Sequence, residues 1–244
     1  MERPDHLAHL RRDGDLLLAT AAEGLDRPVP TCPGWTCERL VGHIGRTHRW
    51  TAGWIASTES PPLEEAPRGS EVVAWARDGL DQVVAAIEAL DVDSVVDTWL
   101  GRQPATFWAR RMAIETALHR VDAQSAAGPG AVTPVATDLA VDAVDELFEV
   151  VLPFVGTGNL ARSGRTIHLH ATDDDLPAGG AGEWLVTFGP EGVDLTHEHA
   201  KGDVAVRASA SDLLLLLWNR RDPEALQVFG DGQVLADWQA HVRV

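Results

Sequence analysis

Only two cysteines occur in the 244 residues, Cys32 and Cys37, too few for a disulfide framework. With four residues between them and no second pair, a zinc ribbon is not expected either. Lysine is nearly absent: Lys201 is the only one, and arginine supplies the other basic residues. That bias reflects GC-rich coding and carries no mechanism. Positive charge is scarce overall, with 20 basic against 37 acidic side chains and a formal charge of −17. Nucleic-acid binders need a cationic footprint, so none is expected as a partner. No apolar run approaches the length of a membrane span; Leu213 to Trp218 is the longest. The first residues, Met1-Glu-Arg-Pro-Asp-His6, lack the basic start and apolar core of an export signal. The expectation is a cytoplasmic protein with no membrane partner.

What remains is an ordinary globular composition, 45% hydrophobic, with a change of periodicity midway. The first half reads as helices: 6–24, with Leu7, Leu10, Leu17, Leu18 and Ala21 on one stripe; Cys37 to Thr58; Glu71 to Leu90; and Pro104 to Ala127. Proline-containing connections separate them at 26–35 and 60–70. Four helices with modest loops predict a bundle. A further helix is expected over 138–151. Beyond Pro153, the segments 165–171, 183–188, 193–198 and 204–207 alternate with period two between Gly-rich turns. A helix at 211–219, a short strand near Val228 and a last helix at 234–241 complete the reading. The fold class expected is α+β in two domains, 1–152 and 153–244.

Within the fourth helix, Glu115 and His119 are four residues apart. Such residues share one helical face with Cβ atoms roughly 5–6 Å apart, close enough to grip one divalent ion or to form an ion pair. A third ligand candidate, His43, lies in the second helix and can join them only if the two helices are neighbours. Its rival, His48, is five residues further on and points about 140° around the helix. Three protein ligands leave a fourth position open on zinc, the arrangement of a catalytic site.

Two motifs shift this balance. Thr31-Cys-Pro-Gly-Trp-Thr36 with Leu40-Val-Gly-His-Ile44, and Glu115-Thr-Ala-Leu-His-Arg-Val-Asp-Ala123, resemble the mycothiol-dependent maleylpyruvate isomerase family. The resemblance implies a DinB-like metal-binding bundle followed by a sterol-carrier-like C-terminal domain. It also implies that His43, Glu115 and His119 hold a divalent metal, normally zinc. Asp122 matches an aspartate three residues beyond the last ligand, and is expected to orient a ligand or Arg120. Arg220, in Leu217-Trp-Asn-Arg220, matches an arginine that could clamp a substrate carboxylate.

The implied chemistry uses mycothiol as thiol co-substrate. Its thiolate would add to the double bond of a cis-enedioic electrophile, permit rotation, and leave again. A mycothiol S-transferase acting on electrophiles is an alternative. A non-catalytic metal-containing protein that binds a small apolar ligand is another.

Other features point less clearly. His168 and His170 share one face of a strand, as do His197 and His199. Four imidazoles could therefore converge, through cross-strand packing or a second metal. Cys37 lies near a helix N-terminus, a position that lowers thiol pKa. Trp35, Trp50 and Trp54 read as core or interface packing.

Overall fold

The computed structural model describes residues 1–57, 60–179 and 181–242. It divides into two compact units, Met1–Thr133 and Pro134–Val244. Four long helices dominate the first: α1 (Arg3–Ala22), α2 (Cys37–Ser57), α3 (Glu71–Glu88) and α4 (Thr106–Ala127). The expected end of α2 at Thr58 lies outside the described residues. In α1 the stripe of Leu7, Leu10, Leu17, Leu18 and Ala21 is buried, as are Leu40, Val41 and Ile44 of α2. Gly45 lets α2 close on α3, because a Cβ there would stand 2.9 Å from the Ala76 Cα.

α4 is the central helix. It packs against α1 and α2, and from Phe107 to Gln124 nearly every side chain is buried. Its buried set includes Arg111, His119, Arg120, Asp122 and Gln124. Polar groups withdrawn from water must find partners, so this helix imports chemistry into the core.

One expectation fails at its start. Pro104 does not open α4 but ends β2 (Gly101–Pro104), which pairs antiparallel with β1 (Val95–Thr98). Gly101, at φ 81°, makes the reversal that L side chains avoid. The Thr98 hydroxyl then accepts the Leu100 amide at 3.0 Å. Strands of four residues are too short to show a period in the sequence.

The second unit begins with α5 (Thr137–Glu146), which packs against α6 (Ala210–Leu217). The observed division therefore falls ahead of α5, whereas the sequence reading groups that helix with the bundle. The helix expected to reach Val151 instead widens at Leu147–Val151 into a π turn, with the Leu152 amide donating to the Leu147 carbonyl. A mixed sheet follows, in the order β5 (Gly192–Thr196), β4 (Glu183–Gly189), β3 (Thr166–Ala171), β6 (Val204–Ala208), β7 (Gln227–Gly230). β3 and β6 are parallel and the other pairs antiparallel.

α6 and α7 (Gly232–His241) cover one face of the sheet. Ile167, Leu169, Trp184, Val186, Phe188, Val204 and Val206 form the buried set of these strands. Alternation sends His168, His170, Glu183, Ala205 and Arg207 to the opposite face. Among the described residues, no helix is long and apolar enough to cross a membrane.

Candidate metal centre

The neighbouring placement of α2 and α4 satisfies the condition on which His43 depends. Its Nε2 lies 3.3 Å from Glu115 Oε1, and His119 Nε2 lies 3.3 Å from the same oxygen. All three donor atoms fall within 4.8 Å of one another. Tetrahedral zinc with nitrogen and oxygen ligands at about 2.0–2.1 Å places neighbouring donors about 3.3–3.4 Å apart. Two edges of such a polyhedron are therefore already present, and the donor types suit zinc. His43 is the most open of the three side chains, one third exposed, so the cluster has a side that a small molecule can reach. His48 takes no part: its Nε2 meets the Thr116 hydroxyl at 2.8 Å inside the bundle.

Two of the three ligand candidates are held by a further group. Arg111, one helical turn before Glu115, forms an ion pair with Glu115 Oε2 and so leaves Oε1 to the imidazoles. His119 Nδ1 lies 2.8 Å from Asp122 Oδ2 and donates to that carboxylate, which turns Nε2 toward the cluster. Such a carboxylate behind an imidazole orients it and raises its basicity as a ligand. Asp122 is fully buried and accepts from the Thr31 hydroxyl at 2.6 Å and from Cys32 Sγ at 3.5 Å. The 31–35 loop is thus wired to α4. Its Trp35 ring stands 5.1 Å from the His43 ring and stacks at 6.3 Å on that of His119, walling one side of the cluster.

The surroundings favour the ionised form of both Glu115 and His119. Burial works to raise the Glu115 pKa, but Arg111 and the contacts from His119 and His43 hold its carboxyl well below the usual range. Burial pulls His119 toward neutrality, yet Asp122, Cys32 and Glu115 carry its pKa well above the ordinary histidine value.

Asp122 contacts the ligand candidate His119, the geometry that the orienting role requires. Arg120 reaches Asp13 Oδ1 at 3.2 Å and Gln124 Oε1 at 2.8 Å. Arg220 lies in the second unit, where its guanidinium donates to the Trp218 carbonyl at 2.8 Å and stands 5.7 Å from that residue's ring centroid. The helix N-terminus does not lower the Cys37 pKa: burial raises it, against the opposing charge of Arg27.

Trp35 is not simple core filling, since it faces two imidazoles. Trp50 and Trp54 do pack together with Trp99 and Trp108. Sequence reasoning also missed Arg111 and Thr31. Arg111 was signalled by its i,i+4 spacing to Glu115, whereas nothing in the sequence pointed Thr31 at Asp122.

Residues 7–124 match the model of the mycothiol maleylpyruvate isomerase N-terminal domain, and residues 138–237 that of the MDMPI C-terminal domain. Among solved structures, the chain is similar to the mycothiol-dependent maleylpyruvate isomerase at 15% identity and a TM-score of 0.51. A histidine-to-alanine mutant of that enzyme matches at 14% identity and a TM-score of 0.53. Each comparison covers 93% of both chains. No curated protein matches the sequence. At these identities the structures establish a shared two-domain α+β fold, and the two domain models establish descent. The chain belongs to the mycothiol-dependent maleylpyruvate isomerase family.

Proposed function

We propose that His43, Glu115 and His119 hold one divalent ion, most readily zinc. On this reading the protein is a cytoplasmic, mycothiol-dependent enzyme that isomerises a small cis-enedioic electrophile of the maleylpyruvate type. The observation that carries this reading is the convergence of three donors from two helices, with both imidazoles 3.3 Å from the one carboxylate oxygen and one of them partly exposed. A divalent ion at that point supplies the charge that keeps a thiol deprotonated at neutral pH.

The chain's own groups do the rest. Asp122 holds His119 in the tautomer that directs Nε2 into the cluster. Arg111 neutralises one Glu115 oxygen and fixes the other. Trp35 walls the imidazoles and restricts water on its side. In the reaction, the mycothiol thiolate forms a C–S bond to one alkene carbon and the π electrons move to the conjugated carbonyl. Rotation follows about the resulting single bond. Return of those electrons breaks the C–S bond and releases the trans product, so no thiol is consumed.

The test combines metal analysis with turnover. Purified protein is expected to carry one equivalent of zinc in this cluster, lost in His43→Ala and in His119→Ala, and to isomerise maleylpyruvate only when mycothiol is present. Arg220→Met is expected to raise KM while leaving metal content unchanged. Metal content undiminished from wild type in both histidine variants would overturn the ligand assignment. Conjugation of mycothiol to a generic electrophile, with maleylpyruvate untouched, would identify a transferase instead.

A further inference from the structure

The second unit contains an imidazole cluster that the bundle chemistry does not use. Four of the ten histidines fall between residues 168 and 199, and three of them converge on one carboxylate. His168 Nε2 lies 2.6 Å from Glu183 Oε2. His199 Nδ1 lies 3.0 Å from Glu183 Oε1, and His170 Nδ1 contacts that same oxygen. The fourth, His197, turns instead to Asp145 at 3.4 Å.

From these contacts we infer a second divalent-metal site on the sheet, with His168, Glu183 and His199 as ligands and His170 alongside to hold the carboxylate or complete the set.

Backbone pairing builds most of this arrangement. His168 and His170 are two apart on β3 and so share a face, and His170 stands opposite Glu183 of β4. Three of the four groups are therefore fixed by hydrogen-bonded strands, where donor positions are most reproducible. His199 comes from the loop that follows β5, and that loop lies tightly on β3. A Cβ at Gly202 would stand 2.8 Å from the His168 amide nitrogen, so the close approach needs glycine. It brings the His199 ring to 5.1 Å from that of His168, nearly perpendicular at 89°.

The donor atoms of His168, Glu183 and His199 lie within 4.8 Å of one another, as in the bundle cluster. The chemistry selects an ion class. Imidazole nitrogens with one carboxylate suit zinc, cobalt or nickel, whereas magnesium and calcium prefer all-oxygen shells.

A way in also exists. A cleft of about 330 Å³ is lined by His168, His170 and His199 together with Ala205, Arg207 and Phe229. His168 is the buried ligand and His199 the exposed one, at 7% and 76% side-chain exposure. An ion arriving from solvent would thus meet His199 first and replace the imidazole–carboxylate contacts within the cluster.

The test uses the full chain carrying His43→Ala and His119→Ala, which silences the bundle cluster. Equilibrium dialysis against micromolar Zn²⁺, and titration with Co²⁺ followed by its visible d–d absorption, are the probes. One equivalent of metal is expected in this background, unaffected by excess Mg²⁺. Adding His199→Ala should weaken binding by roughly tenfold or more, and adding Glu183→Gln should do the same. His199 is exposed, so its variant keeps the fold and remains decisive even if a His168 variant does not.

Failure of the double-histidine protein to bind Zn²⁺ would overturn the inference, as would binding that His199→Ala and Glu183→Gln leave unchanged. The outcome is separable from the bundle assignment. If only the bundle reading is wrong, the wild type and the double variant bind the same single equivalent.

Discussion

His119 and Asp122 are joined at 2.8 Å between Nδ1 and Oδ2, one helical turn apart on a helix buried on nearly every side. The contact converts a flexible imidazole into an aimed one. Because Asp122 is itself tied to Thr31 at 2.6 Å, the aim depends on a loop 91 residues upstream. The cluster therefore belongs to the tertiary fold and not to α4 alone.

Asp122→Asn tests this directly. The amide keeps the shape but loses the charge that favours the Nδ1 proton. Removing such a partner typically costs 10–100-fold in metal affinity, and that range is expected here in competition with a chromogenic chelator. Thr31→Val should act in the same direction and less strongly, since it removes one hydrogen bond and no charge. Equal affinity in wild type and Asp122→Asn would show that the aspartate serves packing only.

Metal removal gives a second prediction. An ion that binds only the folded chain stabilises it by about 2.7 kcal/mol when its free concentration is 100 times Kd. Chelator treatment is therefore expected to lower the melting temperature of the wild type. Much of that drop should persist in a protein lacking only the His199 ligand, and shrink to the part due to the sheet site in one lacking only His119. Differential scanning calorimetry before and after zinc is restored reads both.

A third concerns the buried pair that Arg120 forms with Asp13 at 3.2 Å, each side chain about 1% exposed. Removing one partner strands the other charge in the core. Asp13→Ala should cost about 3–5 kcal/mol in urea unfolding. Asp13→Leu with Arg120→Met should recover most of that loss, because Gln124 still accepts the Thr133 amide at 3.0 Å. A double variant as unstable as Asp13→Ala would mean that the loss comes from packing.

Much of this was legible in the residues themselves. Glu115 and His119 share a face by spacing alone, and the stripe of Leu7, Leu10 and Leu17 marks α1. The choice of His43 over His48 was not legible from spacing, since it depends on which face of α2 meets α4. Short strands such as β1 and β2 leave no periodic signal, so Pro104 read as a helix start. Arg111 and Thr31 were hidden for different reasons. The first stood in plain sight at i,i+4 to Glu115, whereas the second is brought to Asp122 only by the fold. Cys37 shows the limit of a local rule: its place at the helix start lowers the thiol pKa in principle, and burial reverses the sign.

His48 gives the pH prediction. It lies in the bundle beside Leu17, Leu18, Ile44 and Leu80, and its Nδ1 has no hydrogen-bond partner among the described residues. Burial lowers its pKa to about 3, with Glu115 pulling upward and His43 and His119 adding to the decrease. In the unfolded chain the same group titrates at about 6.5. Between those two values the unfolded state binds a proton that the folded state refuses, so stability rises with pH across the window. The stabilising effect of a neutral His48 is thus complete above about pH 6.5 and is lost as pH falls toward 3. One proton changes the stability by up to about 1.4 kcal/mol per pH unit. His48→Gln can still meet Thr116 but does not titrate. The difference in unfolding free energy between wild type and His48→Gln, measured in urea at steps from neutral pH down to about 4, should shift toward the variant at that slope. The other carboxylates and histidines, including the bundle ligands, are common to both proteins and cancel in the difference. A difference that stays flat with pH would mean that His48 takes up a proton in the folded state, and that Thr116 and Glu115 provide it a charged environment within the bundle.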